Sequence, residues 1–232
     1  MSAQFFARLE ECRLNPEVRV VVVTGAGKGF CPGADMDALT QIRANPAGGA
    51  GPATGAGRFS DFISYPKPII AAMNGAAAGV GFVLALFCDL RFAASGIKLT
   101  TSFSRRGLIA EYGSSWALPK LIGMPRALDL LLSGRVITAD EAERMGLVNQ
   151  VVPAEELMSH VMAYASDLAA NCCPTSWAHM KKQVYGDWEI DADTATTNSI
   201  HMMNASVMRP DFQEGVQSYL DKRAPQFAPF TE

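Results

Sequence analysis

Glu111 is the acidic residue whose surroundings best suit proton transfer. It lies in a glycine-bounded loop between the apolar pair Leu108-Ile109 and Tyr112. A carboxyl group among apolar side chains is partly removed from water, which raises its pKa towards the range useful for proton abstraction. Glu111 also lies three residues before Ser114, where we predict a helix, and negative charge is favourable at a helix N-terminus. Glu111 is therefore either a general base or a helix-terminal charge.

Two glycine-rich turns each follow a predicted buried strand. The first, 25–33 (GAGKGFCPG), has Phe30 where the G-x-G-x-x-G dinucleotide pattern needs its last glycine, and no Ser or Thr follows Lys28 as in a phosphate-binding loop. It is therefore a plain strand–helix turn, or a loop whose amides approach some other ligand. The second turn contains Gly75 and Gly79-Val80-Gly81. Free N–H groups at such a helix start stabilise a developing oxyanion, but glycines also permit close packing of helix on sheet.

Histidine and serine give weaker signals. His160, His179 and His201 lie on predicted helices without metal-site spacing, so we expect packing or surface roles and no metal. Ser114 and Ser115 lie outside a G-x-S-x-G turn, so a hydrolase nucleophile is not supported.

The composition is that of a globular protein with a substantial core. The chain has 232 residues, of which 49% are hydrophobic and 19% charged. Its net charge of -3 argues against a sequence-independent nucleic-acid binder, which needs a basic surface. The five cysteines lack paired or metal-type spacing, and the first residues are charged where a secretion signal would be apolar. We therefore expect a cytoplasmic protein with reduced thiols and no nucleic-acid partner.

The pattern of elements predicts an α/β fold with a helical C-terminal third. The run 18–24 (VRVVVVT) is typical of a strand buried on both faces of a parallel sheet. The stretch 68–88 contains no charged residue and is long enough to cross a bilayer. However, the turn dipeptide Asn74-Gly75 interrupts it, so we interpret it as a buried strand, a turn and a buried helix. We therefore expect no membrane partner. The Gly/Ala/Pro-rich segment 43–57 is predicted to be a mobile lid. Helices are predicted over 3–12, 36–42, 58–64, 79–87, 114–122, 125–133, 139–145, 154–171, 176–185, 194–206 and 211–223.

Five segments, in order, resemble the enoyl-CoA hydratase/isomerase (crotonase) superfamily. They are VVVTGAGKGFCPGADM (21–36), PKPIIAAMNGAAAGVGFVLALFCDLRFA (66–93), GLIAEYGSSWALPKLIG (107–123), GRVITADEAERMGLVNQVV (134–152) and FQEGVQSYLDKRAPQF (212–227). The resemblance implies a crotonase-like ββα spiral over 1–152 and a helical C-terminal trimerisation region over 153–232, forming homotrimers or hexamers. It also implies an acyl-CoA substrate, with coenzyme A entering as part of the thioester and no permanently bound cofactor.

The resemblance also assigns site residues. The backbone N–H groups of Ala34 and Val80 correspond to the two donors with which the family polarises the thioester carbonyl. The positions beside them, expected to bind substrate, are Gly33, Asp35, Met36 and Gly79. In the last helix, Lys222 is expected to approach the coenzyme A phosphates at a subunit boundary.

Two departures bear on the reaction. Val83 and Phe103 occupy the positions of the two glutamates of family hydratases, and we place both in the substrate site. By contrast, Glu111 lies in GLIAEYGSS, which looks like the GLxxEGG/S segment of Δ3,Δ2-enoyl-CoA isomerases, where one glutamate moves a proton from C2 to C4. The resemblance therefore favours an isomerase with Glu111 as the base. The alternatives are an enoyl-CoA hydratase, or another lyase, that uses Glu111, and a non-catalytic acyl-CoA-binding protein.

A third departure lies at the beginning of the chain. Family members usually carry another strand pair and an N-R-P…N-A loop before the strand that starts at Val18, and this segment contributes to coenzyme A binding. We expect it to be missing here, because the reading frame starts late or because the chain is a shortened member.

Overall fold

The computed structural model describes residues 2–34, 40, 44 and 57–230. The predicted helix over 36–42 and the predicted lid over 43–57 lie almost wholly outside the described residues. Asp35 and Met36 lie outside them as well.

A parallel sheet forms the centre of the described structure. Its strands are β1 (Val21–Thr24), β2 (Ile69–Met73), β4 (Leu90–Ala94) and β7 (Gln150–Val152), in the order β1-β2-β4-β7. Each neighbouring pair is parallel. All five residues of β2 are buried, because this strand lies between two others and is covered on both faces.

The first strand differs from its prediction. It begins at Val21 rather than at Val18, and its residues are half-buried or exposed. Because β1 lies at one end of the described sheet, it is not enclosed as β2 is. The expectation of burial on both faces was therefore wrong for β1.

A second, smaller sheet lies beside the first. It consists of β3 (Ala77–Ala78), β5 (Lys98–Thr100) and β6 (Ile137–Thr138), with β3 parallel to β5 and β5 antiparallel to β6. The chain runs from β2 in the first sheet to β3 in the second and then into a helix. It runs again from β4 in the first sheet to β5 in the second. Each of these turns of the spiral therefore contributes one strand to each sheet. The predicted α/β architecture is thus present in the described residues.

Helices cover the sheets and form the C-terminal third. They are α1 (Ser2–Leu14), α2 (Val80–Phe87), α3 (Ser114–Ile122), α4 (Met124–Ser133), α5 (Ala139–Met145), α6 (Leu157–Asn171), α7 (Pro174–Gly186), α8 (Ala192–Val207) and α9 (Pro210–Leu220). The segment Phe59–Ile63, predicted as part of an α-helix, is a short 3₁₀ helix. Within the described ranges, no helix is both long enough and apolar enough to cross a bilayer.

A buried ion pair joins the C-terminal helices to the central sheet. The carboxylate of Asp89, just before β4, accepts hydrogen bonds from the amide of Ile69 at 2.8 Å, from Lys181 Nζ of α7 at 2.7 Å and from the Tyr185 hydroxyl at 3.3 Å. The side chains of Lys181 and Asp89 are only 12% and 16% exposed. Burial raises the pKa of Asp89 and lowers the pKa of Lys181, so each charge depends on its partner to offset the loss of water.

We expect Lys181→Met to destabilise the fold strongly. The substitution leaves the Asp89 carboxylate buried without its counter-charge, which costs about 3–5 kcal/mol of unfolding free energy. Urea denaturation measures this loss. Lys182→Met is the matched control, because Lys182 is the next residue of the same helix and is exposed. Equal denaturation midpoints for the two variants would show that the pair contributes little.

Candidate active site

Two backbone segments approach each other closely at the carboxyl ends of β1 and β2. A β-carbon on Gly75 would lie 2.1 Å from the carbonyl oxygen of Lys28, and one on Gly81 would lie 2.1 Å from that of Cys31. The side chain of Asn74 ties the same segments together, since it accepts from the amide of Gly25 and donates to the carbonyl of Gly27, both at 2.9 Å. Gly75 and Gly81 therefore serve close packing, which was one of the two interpretations of this turn.

The register of these segments brings the two predicted oxyanion donors to matching positions along the chain. Cys31 and Ala77 form a parallel bridge, with the amide of Ala78 donating to the carbonyl of Cys31 at 3.0 Å. Ala34 and Val80 each lie three residues beyond that bridge. The structure therefore places these two residues, which are 46 positions apart in the sequence, at equivalent positions of two adjacent segments.

Positive φ angles shape both segments just before the donors. Gly33 has a φ of 109°, and a β-carbon there would lie 3.1 Å from the carbonyl oxygen of Ala78. Gly79 has a φ of 51° and immediately precedes α2. A side chain would be strained at either position, so these two glycines are required by backbone conformation.

The backbone N–H groups of Ala34 and Val80 make no hydrogen bond within the described part of the chain. Val80 is the first residue of α2, where an amide has no acceptor within the helix. The positive end of the α2 dipole adds to the attraction for a negative oxygen.

The two positions that carry acids in family hydratases are apolar and buried. Val83 lies in the first turn of α2, where its amide donates to the carbonyl of Gly79 at 3.1 Å. The ring of Phe103 comes within 3.9 Å of the position that a β-carbon on Gly79 would take. Phe103 thus lies beside Gly79, just before α2, but neither Phe103 nor Val83 has a side chain that can transfer a proton.

Glu111 is half-buried just before α3. Burial raises the pKa of its carboxyl group above the ordinary value for glutamate. The expected apolar cover is incomplete, because Ile109 is 80% exposed and Leu108 and Tyr112 are 37% and 36% exposed. The expected partial removal of the carboxyl from water is nonetheless present, since burial is the cause of its raised pKa.

The helix-terminal interpretation of Glu111 finds no support in its contacts. The residue before α3 is Gly113, and no side chain caps this helix. Within the described part of the chain, no cation pairs with Glu111, and desolvation alone accounts for the direction of its pKa shift. A half-buried carboxylate without a counter-charge is suited to accept a proton.

Several structural features near the site have no signal in the sequence. Positive φ angles occur at three described residues other than glycine, namely Ser102, Tyr112 and Lys222. Ser102 precedes Phe103, Tyr112 follows Glu111, and Lys222 is itself a predicted site residue, exposed just beyond α9. Residue type did not reveal them, because serine, tyrosine and lysine seldom adopt this conformation.

Two cavities lie away from these residues. One, of about 460 Å³, lies between α1 and the 3₁₀ helix and is lined by Phe6, Arg13 and Asp61 among others. The other, of about 510 Å³, lies between α7 and α9. Neither is lined by Ala34, Val80 or Glu111.

The sequence and the fold both have well-defined relatives. The chain is 34% identical over 98% of its length to a 1,2-epoxyphenylacetyl-CoA isomerase from Escherichia coli, of which it covers 87%. It superposes on an enoyl-CoA hydratase from Polaromonas sp. JS666 with a TM-score of 0.89 and 32% identity, covering 98% of this chain and 89% of that one. An enoyl-CoA hydratase from Mycobacterium marinum is 44% identical with a TM-score of 0.67, covering 81% of this chain and 84% of that one.

The match to the family model extends over nearly the whole chain. Residues 1–229 match the model of the enoyl-CoA hydratase/isomerase family. With the structural likeness to enoyl-CoA hydratases, this match confirms the resemblance drawn from the motifs. The chain belongs to the enoyl-CoA hydratase/isomerase family.

Proposed function

We propose that this acyl-CoA enzyme shifts a double bond, converting a 3-enoyl-CoA into the conjugated 2-enoyl-CoA. The observation that carries the proposal is the half-buried carboxylate of Glu111, which has no counter-charge among the described residues, combined with apolar residues at both hydratase acid positions. Coenzyme A takes part as the thioester portion of the substrate. The site needs no further cofactor for this reaction.

The proposed reaction begins at C2 of the substrate. The Glu111 carboxylate removes a C2 proton, and the electron pair moves into the thioester carbonyl to give a dienolate. The amides of Ala34 and Val80 donate hydrogen bonds to the enolate oxygen, each contributing roughly 3 kcal/mol of barrier reduction. Gly33 and Gly79 set the backbone turns that present these amides, and Asp35 and Met36 follow them along the chain.

The second step returns the same proton. Protonated Glu111 gives it to C4, and the double bond moves from C3–C4 to C2–C3. Atoms and charge balance without water or a second acid, so one carboxylate is sufficient. Val83 and Phe103 suit this reaction because they provide an apolar surface beside the oxyanion site and no group that would activate water.

Hydration is the alternative enzymatic function. It is favoured by the names of the Polaromonas and Mycobacterium marinum relatives, which are enoyl-CoA hydratases. In this chain Glu111 would then have to activate water alone. A non-catalytic acyl-CoA-binding role is less well supported, since a surface ion pair of Glu111, which that role predicted, is not found among the described residues.

We expect Glu111→Gln to abolish most of the isomerase activity. The amide keeps the shape of the side chain but is not basic, so kcat should fall by about 10²–10⁴-fold while KM changes little. Formation of the conjugated 2-enoyl-CoA is followed by ultraviolet absorbance. Glu155→Gln, an exposed glutamate before α6, is the control and should retain full activity.

Two results would contradict this account. Undiminished isomerisation by Glu111→Gln would remove Glu111 from the mechanism. Efficient hydration of crotonyl-CoA by the unmodified enzyme, faster than isomerisation, would favour the hydratase.

The pH dependence of kcat/KM should also report Glu111. The base must be ionised in the free enzyme, so activity is lost as the pH falls through the pKa of Glu111. Because burial raises that pKa above its ordinary value of 4.5, the acidic limb should lie at a higher pH than for an exposed glutamate. A limb at or below the ordinary value would show that Glu111 is fully solvated or is not the base.

We also propose that the subunits assemble through the C-terminal helices into a trimer, or a hexamer of paired trimers. Met158, Met162, Met180 and Met203 are between 39% and 58% exposed, and Met202 is half-buried. Such apolar surface on α6–α8 is more than an isolated subunit usually leaves in water. Lys222, just beyond α9, would then approach the coenzyme A phosphates at a subunit boundary.

Light scattering measures the assembly directly. At micromolar concentration we expect a mass three or six times the chain mass of 24.8 kDa. Met180→Lys should shift the protein towards smaller species, because it places a charge in the proposed interface. A monomer under the same conditions would end the proposal.

A further inference from the structure

The residues from Glu111 to Ser114 form a tight turn of type I′. The amide of Ser114 donates to the carbonyl of Glu111 at 3.0 Å, which closes the turn. The two central residues, Tyr112 and Gly113, have φ angles of 53° and 82°, and Gly113 has a ψ of 12°. A type I′ turn needs positive φ at both central positions and therefore favours Asn, Asp and Gly. Tyrosine at the first central position is strained.

Aromatic packing holds the strained residue in place. The Tyr112 ring lies against Phe59, with 6.1 Å between ring centroids. Phe59 in turn contacts Phe62 at 6.0 Å, and Phe62 is completely buried. The ring therefore connects the turn to the core through the 3₁₀ helix.

The other side of the turn rests on α2. A β-carbon on Gly113 would lie 3.0 Å from the ring of Phe87, the last residue of α2. The first residue of the same helix is Val80, one of the two oxyanion donors. The turn that carries Glu111 is thus seated on the helix that carries Val80.

A second unfavourable feature lies in the same four residues. The side chain of Ser114 is completely buried, and its hydroxyl has no hydrogen-bond partner among the described residues. Leaving a buried hydroxyl unpaired costs stability, as does a positive φ at Tyr112. Two such features in one short turn indicate that its shape is kept for function rather than for stability.

We propose that Tyr112 is a positioning residue for Glu111. Its ring, held against Phe59, keeps the 111–114 turn in the strained type I′ conformation and so fixes the Glu111 carboxylate relative to Val80. The inference rests on the proposed function of Glu111 as the base. Glycine at position 112 would form the same turn without strain, but it would leave nothing to hold the turn against the 3₁₀ helix.

Kinetics of two variants separate positioning from a structural role. Tyr112→Gly relieves the backbone strain and removes the ring, so we expect kcat to fall by about 10–100-fold, with KM within roughly twofold and thermal stability unchanged or higher. Tyr112→Phe keeps the ring, so its kcat should stay within about twofold of that of the unmodified enzyme. Tyr112→Asn, which also tolerates positive φ, replaces Tyr112→Gly if that variant folds poorly.

The kcat of a double variant distinguishes a positioning role from a purely structural one. In the Glu111→Gln background there is no base to position, so adding Tyr112→Gly should not lower kcat further. Full activity of Tyr112→Gly alone would overturn the positioning role and leave Glu111 as the base. A fall in kcat that is the same in both backgrounds would also overturn it.

If the unmodified enzyme fails to isomerise 3-enoyl-CoA, that result refutes the proposed function alone. Crystal structures then still test whether Tyr112 positions the Glu111 carboxylate. In Tyr112→Gly we expect the Glu111 carboxylate to be displaced or to occupy more than one rotamer. A carboxylate that stays within about 0.5 Å of its place would refute the positioning role.

Discussion

The close approach of two backbones, 28–31 and 75–81, is the constraint on which the site depends. At Gly75 and Gly81 even a methyl group would come within 2.1 Å of a carbonyl oxygen of the facing segment. This contact allows the Cys31–Ala77 bridge, and the bridge sets the register of everything beyond it. Two amides far apart in the sequence reach equivalent positions because of that register.

Helix α2 extends the constraint from the proposed oxyanion donors to the proposed base. Val80 begins this helix, and Phe87 at its other end supports the turn that carries Glu111. The C-terminal end is held by Arg91, whose buried guanidinium donates to the carbonyls of Cys88 at 2.5 Å and Leu147 at 2.7 Å. A cation at this end of a helix complements its dipole, so α2 is fixed at both ends.

The proposed mechanism follows from which hydrogen-bonding and acid–base groups these segments carry. The proposed site combines the amides of Ala34 and Val80 with the Glu111 carboxylate, the minimum for forming an enolate and returning its proton. Neither hydratase acid position supplies a second carboxylate, because Val83 and Phe103 are both buried and apolar. Proton transfer within the substrate therefore needs only one acid–base group, whereas the hydratases of the family use two to add water.

Long apolar patterns in the sequence were sufficient to predict most of the fold. The run 69–87 appears as a buried strand, a turn and a helix, and ordered motifs across the chain indicated the family. The two-residue strands β3 and β6 were missed, because two residues carry no periodicity. They exist through pairing with β5, which is a tertiary interaction.

The candidate site was only partly predictable from the sequence, because its geometry also depends on tertiary contacts and backbone angles. Motif positions pointed to Ala34, Val80 and Glu111, but spacing could not separate a packing glycine from one that shapes a donor loop. The structure separates them, since a β-carbon on Gly81 would lie 2.1 Å from the carbonyl oxygen of Cys31, whereas Gly79 has a positive φ. The strain at Tyr112 and the exposure of Ile109 depend on backbone angles and loop orientation, which single residue types do not determine.

A crystal structure of Glu111→Gln with a bound 3-enoyl-CoA is the most direct test of the central claim. The account predicts that the thioester oxygen lies about 2.7–3.1 Å from the amide nitrogens of both Ala34 and Val80. It also predicts that the side chain at position 111 lies about 3–3.5 Å from C2 and within reach of C4. A thioester oxygen bound away from these amides, or a residue 111 that points away from the acyl chain, would contradict it.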